Sequence, residues 1–203
     1  MRENNFGIPD AKSARSYPLT KFLYMPIVDF VARHASGRAS ILDVGTGTGF
    51  LLELIKERVP GSNLVGIDTN METMQIGSRN IRFIRADASR LPFKRGSFDF
   101  IVSRSSFCYW NNHGKILKDF LNALKPGGFV VILDVNRNIV AKYLLILIGM
   151  VVLGKSFSDM KDFADRAFSK KEKYSLMKKI HVNKFSYKTL FLGSYYLLII
   201  RKE

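Results

Sequence analysis

Three glycines stand on alternate positions at Gly45, Gly47 and Gly49, between the apolar run Ile41-Leu-Asp-Val44 and Phe50-Leu-Leu. Glycines between a strand and a helix let a ligand lie against backbone N–H groups. A dinucleotide loop wants its last glycine three residues after the second, and that position here is Phe50. A nucleotide-phosphate loop closes on Gly-Lys-Ser/Thr, and no lysine follows Gly49. The acids point elsewhere. Asp43, two residues before the first glycine, would repel a pyrophosphate and suit an amine or a sulfonium cation. Asp68 ends a second apolar run, Leu64–Ile67, where a carboxylate can accept from two ribose hydroxyls. Asp87, in Ala86-Asp87-Ala88, can accept from an exocyclic adenine amine.

A ligand with a cation, a ribose and an adenine but no phosphate is S-adenosylmethionine. Methyl transfer from it is an in-line displacement, for which positioning supplies much of the rate. A protein base is needed only where the acceptor must lose a proton, and no sharp catalytic constellation is present. The stretch Arg104-Ser-Ser-Phe-Cys-Tyr-Trp-Asn-Asn-His113 is placed to face the acceptor, with Tyr109 and His113 as candidate substrate-binding residues. His113 is a candidate base or the start of a surface helix. Cys108 lacks the preceding proline or threonine of a cytosine-methylating nucleophile and is expected as a buried thiol. Residues 103–106, Ser-Arg-Ser-Ser, do not form the Asp/Asn-Pro-Pro-Tyr box used on nucleic-acid amines, and one cysteine supports no metal site.

These residues need a frame, and the apolar periodicity supplies it. Strands are predicted at Ala39–Val44, Leu64–Ile67, Ile81–Ala86, Phe98–Ser103 and Phe129–Leu133. Helices fall between them: Phe50–Arg58, stopped by Pro60-Gly61; 71–78 after a capping Asn70; and Lys115–Leu124, closed by Lys125-Pro-Gly-Gly128. Ser169-Lys-Lys-Glu172 is a capping box opening a helix to about Ile180. Val182–Phe191 and Tyr195–Arg201 form an antiparallel hairpin about Leu192-Gly193-Ser194. The expected fold is α/β: a Rossmann-like, doubly wound seven-stranded sheet, mostly parallel, with an antiparallel carboxyl-terminal hairpin strand. One domain spans residues 1–203. It divides into an amino-terminal helical lid segment (1–38), a cofactor-binding core (39–134), an insertion over the acceptor pocket (136–168) and the last helix with its hairpin (169–203).

The set Ile41–Gly49, Val65-Gly-Ile-Asp68, Asp87-Ala-Ser-Arg-Leu-Pro-Phe93, Ser97-Phe-Asp-Phe-Ile-Val-Ser103 and Leu124-Lys-Pro-Gly-Gly128 resembles class I S-adenosylmethionine-dependent methyltransferases. Within them it is most similar to the ubiquinone/menaquinone-biosynthesis-type branch. The motifs cover residues 39–134. The resemblance implies that Asp43 and the backbone of Gly45, Thr46 and Gly47 hold the methionine part, and that Asp68 takes the ribose hydroxyls with Thr69 beside the adenine. It further implies that Asp87 and Ala88 fix the adenine, that Ser103 approaches the amino-acid end, and that Tyr17 is a lid tyrosine. S-adenosylhomocysteine would be the product. Lys94-Arg95-Gly96 departs from the branch, which commonly carries an acid before Ser-Phe-Asp.

The bulk properties set limits on partners. The net charge is +15, and from Lys155 to Glu203 twelve Lys/Arg face five Asp/Glu. That is either a solvated surface or a surface for an acidic partner: nucleic acid, an anionic membrane or an anionic substrate. The amino terminus lacks the apolar core of a signal peptide, and a cytoplasmic protein is expected. The apolar run 143–153 is shorter than the ~20 residues a spanning helix needs; it reads as a buried or lid helix, or an interfacial one. It could line a pocket for an apolar acceptor, pack two subunits or close the core. Three functions follow: methyl transfer to a small, largely apolar molecule, methyl transfer to RNA or protein, or a cofactor-binding protein without catalysis.

Overall fold

The computed structural model describes residues 21–70, 81–137 and 156–203, with Tyr143 and Ile146 between the last two stretches. Tyr17, the helix expected at 71–78 and most of the 143–153 run lie outside the described residues. Seven strands form one sheet: β1 (Ser40–Val44), β2 (Asn63–Asp68), β3 (Ile81–Arg85), β4 (Phe98–Arg104), β5 (Leu124–Val135), β6 (Phe185–Leu190) and β7 (Tyr195–Arg201). Their order is β3-β2-β1-β4-β5-β7-β6. β1 pairs in parallel with both β2 and β4, and β7 runs antiparallel to both β5 and β6. The expected fold class is therefore present, with one reversed strand inside the sheet rather than at its edge.

The chain leaves β1 for β2 on one side and later returns to β4 on the other. Such a switch point opens a crevice beyond the carboxyl ends of the strands, where ligands bind in open α/β sheets.

Alternation along the strands builds two cores. On β5, Val130 and Ile132 face one side and Val131, Leu133 and Val135 the other, all buried. Helices α1 (Met25–His34) and α2 (Phe50–Arg58) cover the second face through Ile27, Val28, Val31, Leu52 and Ile55. Helix α3 (His113–Ala123) covers the first through Ile116, Leu117 and Phe120. Helix α4 (Phe157–Asp165) brings Phe163 and Ala164 to the α1–α2 side. Helix α5 (Lys170–Lys179) brings Met177 to the α3 side. No helix among the described residues is long and apolar enough to cross a membrane.

Two boundaries differ from expectation for local reasons. Helix α3 ends at Ala123, and the extended chain begins at Leu124 rather than Phe129. Pro126 pushes the residue before it out of the helical region, and the resulting irregularity shifts the β4–β5 register between Phe98 and Phe100. The helix also starts earlier, at His113, because the Asn112 side chain accepts from Lys115 N. The capping box is present as read: Glu172 N donates to Ser169 Oγ, and Ser169 N donates to the Glu172 carboxylate.

Candidate active site

The glycine loop is folded over the end of β2. Gly45 N and Thr46 N both donate to the Ile67 carbonyl, at 2.9 and 3.0 Å. Gly47 N donates to Asp68 Oδ2 at 2.9 Å, and Asn70 N to Asp68 Oδ1 at 3.1 Å. Asp68 thus holds the loop from below, while each of its oxygens keeps a further lone pair. Gly45 has φ +73°, and a Cβ there would overlap Ser106 Oγ; at Gly49, φ +80°, a Cβ would come within 2.5 Å of the Phe83 ring. Both positions therefore require glycine for conformation and for space.

Asp43 is 2% exposed at the root of this loop. Its Oδ2 accepts from Thr46 Oγ1 at 2.8 Å, and its Oδ1 has no hydrogen-bond partner among the described residues. Burial pushes its pKa up to about 7; the Thr46 bond works against that rise, the Asp68 charge adds to it and Arg104 opposes it. A buried carboxylate oxygen without a partner costs free energy, and a cationic or N–H-bearing ligand would remove that cost. The residues present thus fit the amino end of the cofactor inferred from sequence.

The adenine-side acids are more open. Asp87 is exposed, with Oδ1 accepting from Ser89 N at 2.7 Å, and that bond lowers its pKa. Ala88 beside it is buried. Thr69 is exposed, and its carbonyl accepts from Arg85 Nε. Ser103, expected at the amino-acid end, is fully buried, and its hydroxyl donates to the Val44 carbonyl at 2.9 Å. The serine packed directly against Gly45 is Ser106.

Across the crevice, the stretch after β4 forms a short turn of helix at Phe107–Tyr109. His113 starts α3, half-buried; its Nε2 donates to the Phe107 carbonyl at 2.9 Å, and burial lowers its pKa. Its ring packs on Phe107 and Phe168, at 4.6 and 4.5 Å between centroids. Of its two candidate roles, the structure shows the helix start. Cys108 is buried, and burial followed by the Asp134 charge drives its pKa upward. Tyr109 stacks on Phe163 at 5.9 Å.

Two residues here, Asp134 and Lys173, have no place in the sequence reading, and Arg104 figures there only as part of the acceptor-facing stretch. Asp134, at the end of β5, is buried; it accepts from Cys108 N at 3.1 Å, and burial raises its pKa to about 6. An acid closing an apolar strand was the legible signal, as it was for Asp68. Arg104 closes β4 with its guanidinium over the Tyr24 ring at 3.9 Å. Lys173 is 1% exposed and donates to Asn136 Oδ1 at 3.0 Å and to the Phe168 carbonyl at 2.6 Å. No signal marks it among the lysines around it.

Residues 42–132 match the methyltransferase domain family. The matched segment and the order of the seven strands make this chain similar to class I methyltransferases. The demethylmenaquinone methyltransferase of Thermus thermophilus is 37% identical over 114 residues, 53% of this chain and 51% of that protein. The ubiquinone/menaquinone biosynthesis C-methyltransferase UbiE of Coxiella burnetii is 37% identical over 107 residues, 48% of this chain and 43% of that protein. The chain thus spans about half the length of the curated relatives it matches. Among solved structures, the plantazolicin methyltransferase BpumL in complex with SAH superposes with a TM-score of 0.72 at 19% identity, over 98% of this chain and 92% of that one. A SAM-dependent methyltransferase from Aquifex aeolicus gives 0.68 at 16%, over 97% and 100%. At these identities the structural neighbours speak to the fold of the methyltransferase domain, and the matched segment contains its whole glycine loop, Asp68 and Asp87.

Proposed function

We propose that this chain binds S-adenosylmethionine at the carboxyl ends of β1 and β2 and transfers a methyl group to a small, largely apolar acceptor. The observation that carries the reading is Asp43: a buried acid with one unpartnered oxygen, beneath a glycine loop at the sheet's switch point. Asp43 and the backbone of Gly45, Thr46 and Gly47 would hold the methionine part. Asp68 and Thr69 would take the ribose side, and Asp87 with Ala88 the adenine. When bound, the cofactor supplies a methyl group on a sulfonium. The chain's own residues position the acceptor and keep water away; the half-buried ring of Tyr109, stacked on buried Phe163, supports an apolar one. The relatives' names, demethylmenaquinone and ubiquinone/menaquinone biosynthesis, favour an aromatic acceptor of quinone type.

Calorimetry with S-adenosylmethionine tests the first half: no binding at millimolar ligand sinks the reading. Release of S-adenosylhomocysteine with an acceptor extract tests the second and separates catalysis from cofactor binding alone.

One observation supports a second reading, methylation of RNA. The exposed face of α5 carries Lys170, Lys171, Lys178 and Lys179 in a chain of net charge +15. Electrostatic RNA binding should fall steeply with salt; absence of RNA binding at low salt removes it.

A further inference from the structure

Among the described residues, Arg104 is a cation without a counter-ion, in the place where an acceptor would lie. Alternation on β4 puts it on the α1–α2 side, with Phe100 and Val102. Its guanidinium covers Tyr24, whose ring meets Phe50 edge-on at 5.0 Å. Phe50 directly follows the glycine loop, so the charge sits between that loop and α1. Buried Tyr195 and Asp43 feel its field. No carboxylate among the described residues forms an ion pair with it, and its Nε is buried with no hydrogen-bond partner. Two other strand-end charges on this edge are engaged: Asp68 with Gly47 and Asn70, Asp134 with Cys108 and Val135.

A guanidinium is always charged and presents a planar fork of donors that matches a carboxylate or an enolate. Leaving its Nε–H buried and unmade carries a desolvation cost. Stacking on Tyr24 locks the plane of the fork, and the aromatic surroundings strengthen any charge pair formed there.

We infer that Arg104 binds an oxyanion of the methyl acceptor, so that the acceptor is an aromatic or enolic acid rather than a neutral hydrocarbon-like molecule. This rests on the reading of the crevice as a methyltransferase site. Charge recognition by Arg104 orients the acceptor ring against the tyrosines and holds its reactive atom toward the glycine loop.

The test uses the whole chain with saturating S-adenosylhomocysteine and two probes, a hydroxynaphthoate that is anionic at neutral pH and the uncharged naphthol. The parent chain should bind the naphthoate about tenfold more tightly, the scale of one charge-assisted bidentate pair. Arg104→Gln should abolish that preference while leaving S-adenosylhomocysteine affinity and the melting temperature in place. Arg104→Lys should restore part of it, because the charge remains and the fork does not. Equal affinity of the parent chain for both probes overturns the inference, as does a preference that survives in Arg104→Gln. A tenfold loss of S-adenosylhomocysteine affinity in Arg104→Gln also overturns it, because the guanidinium would then serve the cofactor's carboxylate. Failure of the parent chain to bind S-adenosylhomocysteine is a separate result and removes the cofactor reading itself.

Discussion

The two sides of the crevice solve opposite problems. At the β1–β2 ends the polar groups are acids, they lie within a short stretch of chain, and the loop they support is held by backbone N–H groups. At the β4–β5 ends the informative groups are cations, Arg104 and Lys173, and their partners come from far along the sequence. Each side contains a buried group whose pKa burial moves to about 7. Asp43 is raised to about 7, and Lys173 is lowered to about 7. The first side makes a surface that a cationic ligand completes. On the second, Arg104 is left open, whereas Lys173 is satisfied within the fold: it ties Asn136 to Phe168 and rests over the Tyr196 ring at 3.7 Å. A ligand site is therefore marked by a buried charge left incomplete, and a structural staple by one that is satisfied.

The largest effect should come from Asp43. Asp43→Asn removes the charge that a cationic ligand would meet, and cofactor affinity should fall on the order of a hundredfold, the scale of losing one buried charge partner. Titration calorimetry reads this directly. Stability should move the other way. The carboxyl binds its proton more tightly folded than unfolded, so folding is favoured at acid pH and loses stability as pH rises from the ordinary carboxylate range through about 7. Asp134, raised to about 6, adds a slope of the same sign. Chemical denaturation across that window should show the decline, and Asn at position 43 should flatten its upper end. A variant that kept full affinity would mean that Asp43 only anchors the loop.

Next in size is Lys173→Met. The folded chain binds the lysine proton more weakly than the unfolded chain, so this group adds stability as pH rises from about 7 toward the ordinary lysine range. Methionine should remove that rise and leave the acid-side decline untouched. The two variants thus separate the sides of the crevice by the sign of their pH slopes. An unchanged slope above neutrality in Lys173→Met would dissolve the comparison. Cofactor affinity should stay as it was, since Lys173 touches Asn136, Phe168 and the tyrosine rings rather than the glycine loop.

What could be read from the sequence follows the same division. Asp43, Gly45, Thr46, Gly47 and Gly49 lie in one strand–turn–helix unit, and their geometry is decided by glycine conformations and by Asp68 at the next strand end. Local spacing sufficed there, and the β1–α2–β2 boundaries came out within a residue or so. Lys173 is one of twelve basic residues after position 154, and only a partner 37 residues away distinguishes it from its solvated neighbours. Arg104 was seen as part of the acceptor-facing stretch. Its isolation depends on Tyr24, from α1's amino-terminal end, which no motif links to β4. Ser103 stands where the resemblance places a ligand contact, and strand alternation turns its hydroxyl to the Val44 carbonyl, a partner no motif names. The start of β5 was missed because a proline and two glycines signal a break without saying whether the chain beyond it is already extended.

The smallest effect expected is also the most discriminating. Thr46 Oγ1 donates to Asp43 Oδ2 at 2.8 Å and opposes the rise in the carboxyl's pKa. Thr46→Val removes that donor and keeps the branched side chain beside Gly66. The carboxyl should then hold its proton to higher pH, so at neutral pH less of it is ionised to meet a cation. Cofactor affinity near pH 7 should fall about threefold to tenfold, the scale of one ordinary net hydrogen bond. The loss should shrink as pH rises and ionisation is restored, because the geometry of the loop is unchanged. Binding of a cation to the half-protonated parent chain must also release protons, so the calorimetric heat near neutrality should depend on the buffer. In Thr46→Val that dependence should persist to higher pH. A loss that stayed constant across pH would show that Thr46 contacts the ligand directly, and the acid would then not be the element that the ligand completes.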